Sequence, residues 1–157
     1  MDKTVLKNFA IYARKKLIQD IKNKASMIGI TKEGIEKPLP ESTLDMKAFN
    51  IGEIKTFKIY GNEVKKYERL VRELKKRAEN TDYKTAYNDL IDEVAYTWFN
   101  RLIAIRFMEV NNYLPDRMRV LSSGRVGVNE PEFVTYYLDT SLKFKEEELE
   151  QLEKWKI

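Results

Sequence analysis

The chain has no cysteine and no histidine. Lack of cysteine rules out a disulfide framework and thiol redox chemistry. Lack of histidine rules out Ser-His-Asp triads and removes the commonest zinc ligand. The 25 acidic residues form no recognisable metal-ligand pattern, and there is no P-loop. No apolar run approaches the roughly 20 residues of a membrane span, and the N-terminus lacks a signal-peptide pattern, so the expected compartment is the cytoplasm, with no membrane partner. Internal repeats and low-complexity segments are absent. What remains is 157 residues, 43% hydrophobic and 34% charged, the composition of a globular chain long enough to bury a core as one domain.

The net charge of +4 is unevenly spread. Residues 1–30 hold seven Lys or Arg against two acids, and residues 62–80 hold seven against four. Such asymmetry permits an anionic partner.

The dominant stretch is Asp82 to Leu114. Tyr87, Leu90, Ile91, Val94, Trp98, Leu102 and Ile105 recur at helical spacing, Asp82 is a candidate N-cap, and Pro115 stops the pattern. A kink near Asn88 or Asp89 is allowed by its length. The second half is apolar nearly all round, which predicts burial, with Tyr87, Tyr96, Trp98 and Phe99 in the core. Arg101, Arg106 and Glu109 interrupt it. Buried charges must be paired, so the three are read as a buried ion-pair network, Arg106 with Glu109 at i,i+3 and Arg101 with another acid; a buried ligand site is the alternative.

A first helix is expected from Thr4, as N-cap, to Ile28, with Gly29 as its stop and Leu6, Phe9, Ala10, Ala13, Leu17, Ile21, Ala25 and Ile28 as its buried stripe. Lys3, Lys7, Arg14 and Lys22 share a sector of it. After a connector around Gly34, Pro38 and Pro40, Lys47–Ile51 and Ile54–Tyr60 flank Gly52-Glu53 as a hairpin, with the long helix as its platform. The helix Glu63–Glu79 carries a seam of Val64, Tyr67, Val71, Leu74 and Ala78. A basic stripe of Lys65, Arg69, Arg72 and Lys76 lies on another side, with Glu68–Arg72 and Glu73–Arg77 as i,i+4 pairs. Both basic faces have two readings: a solvated, salt-bridged surface, or a set of phosphate contacts that need read no sequence. Tyr67, between Lys66 and Arg69, is the best placed aromatic for base stacking, although it also belongs to the seam.

Farther on, Arg117–Leu121 reads as a short strand, Ser122, Ser123, Gly124 and Gly127 as a loop, Glu130–Leu138 as a short helix, and Lys145–Ile157 as a last helix. The GxxG spacing at Gly124–Gly127 is read as a surface turn. The fold class is therefore mainly α: a single helical domain, residues 1–157, on a long central helix with a small β-hairpin.

The run EVAYTWFNRLIAIRFMEVNNYLP (Glu93–Pro115), the following RVLSS (Arg119–Ser123) and the opening KNFAIYARKKLI (Lys7–Ile18) resemble one family. These are the N-terminal regions of the large adenine-specific DNA methyltransferases of BREX phage-defence systems, the PglX type. The resemblance runs to about Val120. It implies a longer parent that transfers a methyl group from S-adenosylmethionine to adenine N6 at a defined DNA site, with this segment as an N-terminal non-catalytic domain that binds DNA or braces the core. Its partners would be DNA, the parent's remaining domains and other defence-system proteins. The catalytic domain would lie downstream, because a Gly-rich cofactor turn and an Asn/Asp/Ser-Pro-Pro-aromatic tetrapeptide are both missing here. Asn129-Glu130-Pro131-Glu132-Phe133 is out of register for the latter. No catalytic, cofactor or metal residue is assigned. A docking module for partner proteins, through apolar residues such as Trp155, and a stand-alone basic nucleic-acid-binding protein are the rival readings.

Overall fold

The computed structural model describes residues 2–52 and 55–153. The chain is mainly α: helix α1 (Lys3–Met27), strands β1 (Met46–Asn50) and β2 (Thr56–Tyr60), helices α2 (Asn62–Asn80), α3 (Tyr83–Val110), α4 (Glu132–Tyr136) and α5 (Glu146–Glu153). It packs as two compact units, Met1–Phe99 and Asn100–Ile157.

Asp2, rather than Thr4, caps α1, its carboxylate accepting the Thr4 N–H at 2.8 Å. The helix ends where Gly29 turns left-handed at φ 71°. There the Gly29 N–H donates to Ser26 and the Ile30 N–H to Ala25, the paired bonds of a Schellman ending. A Cβ at Gly29 would meet Phe49 at 3.1 Å and Glu36 at 3.2 Å. Glycine is therefore required twice there, by torsion and by space. The expected buried stripe of α1 holds only in part. Ala10, Ala13, Leu17, Ile21, Ala25 and Ile28 are half-buried, whereas Leu6 and Phe9 are exposed.

The strands form a two-stranded antiparallel hairpin, Met46 opposite Tyr60 and Phe49 opposite Phe57. It is shorter than expected, and Glu53 and Ile54 of its turn lie outside the described residues. The platform beneath it is α2 rather than the long helix: Phe49 meets Tyr67 edge-on, ring centroids 5.1 Å apart. Phe49 and Ile59 share the hairpin's inward face and are buried, and Ala48 on the other face is buried as well, its carbonyl accepting the Leu39 N–H. The core joins Ile30, Phe49 and Ile59 to Val64, Tyr67 and Leu74 of α2 and to Ala86, Tyr87, Leu90 and Ile91 of α3. Full burial of each large side chain contributes roughly 1.5–3 kcal/mol. The Tyr83 hydroxyl donates to the Thr31 carbonyl at 2.8 Å.

Helix α3 is continuous through Asn88 and Asp89 over 28 residues, about 42 Å at 1.5 Å per residue. Asp82 caps it, accepting the N–H groups of Lys84 and Thr85 at 2.9 and 3.1 Å. The Thr85 hydroxyl and N–H hold the Asp82 carboxyl below its ordinary pKa. The far end stops at Val110, before Leu114. Asn112, at φ 55°, donates to Glu109, and Tyr113 donates to Met108. Asparagine here plays the part that Gly29 plays in α1. The expectation of all-round burial along the second half fails: Tyr96, Trp98, Ile103, Phe107 and Val110 are exposed, and Phe99 is half-buried.

In the second unit, Arg117–Leu121 is not a strand. Residues Pro115–Arg117 form a 3-10 turn, and the Leu121 N–H goes to a side chain of α3 instead of a sheet partner. Helix α4 is shorter than the expected Glu130–Leu138 and gives way to a second 3-10 turn, Tyr137–Asp139. Tyr137 is buried against Phe144, which also meets Phe133. Asp116, left-handed at φ 54°, accepts both the N–H and hydroxyl of Ser141 at 2.7 and 2.8 Å. Residues 154–157, including Trp155, lie outside the described residues.

Replacing Gly29 with Ala should cost about 1–3 kcal/mol, from the left-handed torsion and the Phe49 contact together. Gly34→Ala, where a Cβ meets nothing within 4 Å, should stay within about 0.5 kcal/mol of the parent. Urea denaturation of the two variants tests the pair; equal stabilities would refute this account of Gly29.

Candidate functional site

The 3.6-residue period of α2 sets the first candidate surface. Val64, Tyr67 and Leu74 are buried, and at about 100° per residue Lys65, Arg69, Arg72 and Lys76 fall on the opposite side. All four are exposed. Their Cα atoms span about 16 Å of helix axis, the rise of eleven residues. Among the described residues, no ion pair engages any of the four. Glu73 is taken by Arg77 at 2.9 Å, and Arg77 also reaches Glu93 at 2.7 Å. Glu68 pairs with Lys47 across the hairpin at 3.4 Å instead of the expected Arg72. The acids interleaved on α2 are thus drawn to its flanks. Tyr67 does not join this face: it is 7% exposed and held edge-on by Phe49, and burial raises its phenol pKa. It is core, and the stacking role considered for it is excluded by position.

The cations of α1 are arranged differently. Arg14 reaches Asp92 of α3 at 3.4 Å. Lys22 is half-buried, and Lys7 is exposed among apolar neighbours. The three do not form an open basic row like that of α2.

The second candidate centre is Glu109. Its side chain is fully shielded, while the Arg106 side chain paired with it is 48% exposed. Arg101 is exposed on α3. Of the three charges expected in a buried network, then, one carboxylate is out of water, because its helix is open on its other sides. Glu109 accepts from the Arg106 guanidinium, from the Ser122 hydroxyl and from the Leu121 N–H at 2.7 Å. Arg106 also donates to the Ser122 hydroxyl at 2.8 Å. Burial pushes the Glu109 carboxyl up, but the bonds from Ser122, Leu121 and Arg106 outweigh it and hold the pKa below the ordinary value. The loop is fastened further by Glu132, whose N–H donates to the Ser122 carbonyl and whose carboxylate accepts the Gly124 N–H at 2.8 Å. This is a structural clamp: three protein donors meet the carboxylate, Arg106 and Ser122 at Oε1 and Leu121 at Oε2. Sequence reading missed Leu121 and Ser122 because it assigned the first to a strand and the second to a loop.

Among the described residues no group of three or more acids is placed to hold a metal ion, and no helix is long and apolar enough to cross a membrane. Gly61 links β2 to α2, but its N–H already donates to the Asp45 carbonyl at 2.8 Å. A Cβ there would meet nothing, so no close approach demands glycine.

Comparison with known proteins bears out the resemblance read from the sequence. The chain is 49% identical over 123 residues, 78% of its length, to an adenine-specific methyltransferase PglX of Lacticaseibacillus casei. It is 47% identical over 55 residues to an adenine-specific methyltransferase BrxX of Escherichia coli O9:H4. The matched stretches span 10% and 4% of the lengths of these curated relatives. No protein-family model and no solved structure matches the chain.

Glu109→Gln should lower stability by about 2 kcal/mol near neutral pH, by weakening charge-assisted bonds in a dry site. Because the folded carboxyl titrates below its ordinary 4.5, the contribution is complete above that value and is lost as pH falls through the lowered folded one. Denaturation of both proteins from pH 7 to pH 3 should show the gap closing with acid. A gap independent of pH would refute the charged clamp.

Proposed function

We propose, from the premise that this chain corresponds to a region of PglX-type adenine-specific methyltransferases, that it is a non-catalytic, DNA-backbone-binding domain of such an enzyme. The parent would methylate adenine N6 at defined sites in host DNA during phage defence, with S-adenosylmethionine as methyl donor. The chemistry would reside in the remainder of the parent. The observation that supports a DNA role is the outer face of α2, where Lys65, Arg69, Arg72 and Lys76 stand exposed opposite the buried seam, with no ion pair to another described residue.

A rigid 16 Å row of cations matches the repeat of a duplex backbone, which presents a phosphate about every 3.4 Å of axis on each strand. Long flexible side chains on one helix face can neutralise several of these without entering a groove. Such contacts position an enzyme on DNA and leave sequence selection to other parts. Lys7, Arg14 and Lys22 of α1 would add less, because Arg14 is held by Asp92 and Lys22 is half-buried.

Charge-neutral replacement of all four residues by Gln should weaken binding of the chain to a short duplex at least tenfold at low salt. It should also flatten the log–log salt dependence by about 3–4, near 0.9 per lost phosphate contact. Fluorescence anisotropy across a salt series measures both. Unchanged affinity and slope would remove this face from the reading.

A further inference from the structure

The first three turns of α1 have no role in the core or in the proposed DNA face. Residues 2–9 are exposed without exception, so this end of the helix is uncovered on every side. It is nevertheless rich in large apolar groups. Val5 and Tyr12 are 65% and 67% exposed, and Leu6, Phe9 and Ile11 are about half exposed. At about 100° per residue Val5, Phe9 and Tyr12 fall within roughly 60° of one another, on the far side from Ile21, Ala25 and Ile28, which face the core. Single exposed apolar residues need no explanation, but here there are five within eight residues of one helix, and four of them (Val5, Leu6, Phe9 and Tyr12) share about a third of its circumference, a patch of the kind that marks an interface. Lys3 and Lys7 lie between Leu6 and Ile11 around the helix, and among the described residues neither has an ion pair.

Area decides between occupants. The five side chains offer on the order of 400 Å², about half of the roughly 800 Å² per partner that a stable complex of separate chains needs. A second free copy is therefore a poor fit. A covalently joined segment needs no such area, because tethering supplies an effective concentration in the millimolar range. Such polypeptide exists in the matched relatives, since the match takes up 10% of the PglX protein.

We propose that Val5 to Tyr12 of α1 form the seam against which the remaining polypeptide of the full-length methyltransferase packs, through a complementary apolar surface. The proposal rests on the reading of this chain as part of such an enzyme, but not on whether α2 binds DNA.

Hydroxyl-radical footprinting, read by mass spectrometry on the 157-residue chain and on the full-length protein, tests it. Phe9 and Tyr12 should oxidise readily in the chain and at least tenfold more slowly in the full-length protein, each referenced to exposed Tyr60 of the hairpin. Equal rates in the two proteins would overturn the proposal. So would protection in the isolated chain that grows with its concentration, the mark of a second copy. The double variant Phe9→Ser, Tyr12→Ser should leave the chain's melting temperature and DNA affinity unchanged while lowering the melting temperature of the full-length protein. If the variant chain fails to fold, the wild-type footprint still decides.

Discussion

The buried seam of α2 is the constraint on which the first unit depends. Leu74 is completely shielded, Val64 and Tyr67 nearly so, and the three meet the hairpin on one flank and the opening turns of α3 on the other. An isolated two-stranded hairpin is marginal in water, so β1 and β2 persist because Phe49 and Ile59 are driven onto this seam. Once Val64, Tyr67, Val71 and Leu74 must face inward, the helical period leaves Lys65, Arg69, Arg72 and Lys76 no choice but to face out. Core and cationic surface are two sides of one geometric requirement.

The second unit is organised on a different principle. Among its described residues Tyr137, packed with Phe144, is the one buried apolar side chain. Side-chain hydrogen bonds take over much of the ordering. Glu109 gathers Arg106, Leu121 and Ser122, Glu132 gathers Gly124, and Asp116 gathers Ser141. Taking a carboxylate out of water costs several kcal/mol unless its lone pairs are filled. That cost makes the Glu109 clamp selective, because only a loop that returns a hydroxyl and an N–H to the right place can satisfy it. Arg119–Ser123 is thereby held without any strand partner.

The helices also differ in what they leave exposed. The open surface of α2 is cationic and suits a phosphate backbone, whereas the uncovered turns of α1 and the second half of α3 are apolar. Water tolerates the former and not large extents of the latter.

Long, strongly periodic segments were legible in the sequence. The Val64–Leu74 spacing, the Asp82 cap and the Gly29 stop are local properties, set by side-chain period, hydrogen bonding and torsion within a few residues, and α1, α2 and α3 follow from them to within a few positions. The i,i+3 pairing of Arg106 with Glu109 is local in the same sense. The resemblance, carried by Glu93–Pro115, likewise lies in the order of residues alone. Burial was a different matter. Leu6, Phe9, Tyr96 and Ile103 have the period of a core stripe, but period says only which residues share a face, not whether another element covers it. Likewise Arg117–Leu121 has strand-like residues, and what prevented a strand was the distant demand of Glu109 for its N–H group. Glu68 could reach Arg72 one turn away, yet the hairpin delivered Lys47 instead. The sequence by itself determined where helices begin, turn and end, because those free energies are short-ranged. Which faces are covered, which cations stay free and which carboxylate leaves the solvent were decided only by the tertiary structure, since each depends on groups brought together from far along the chain.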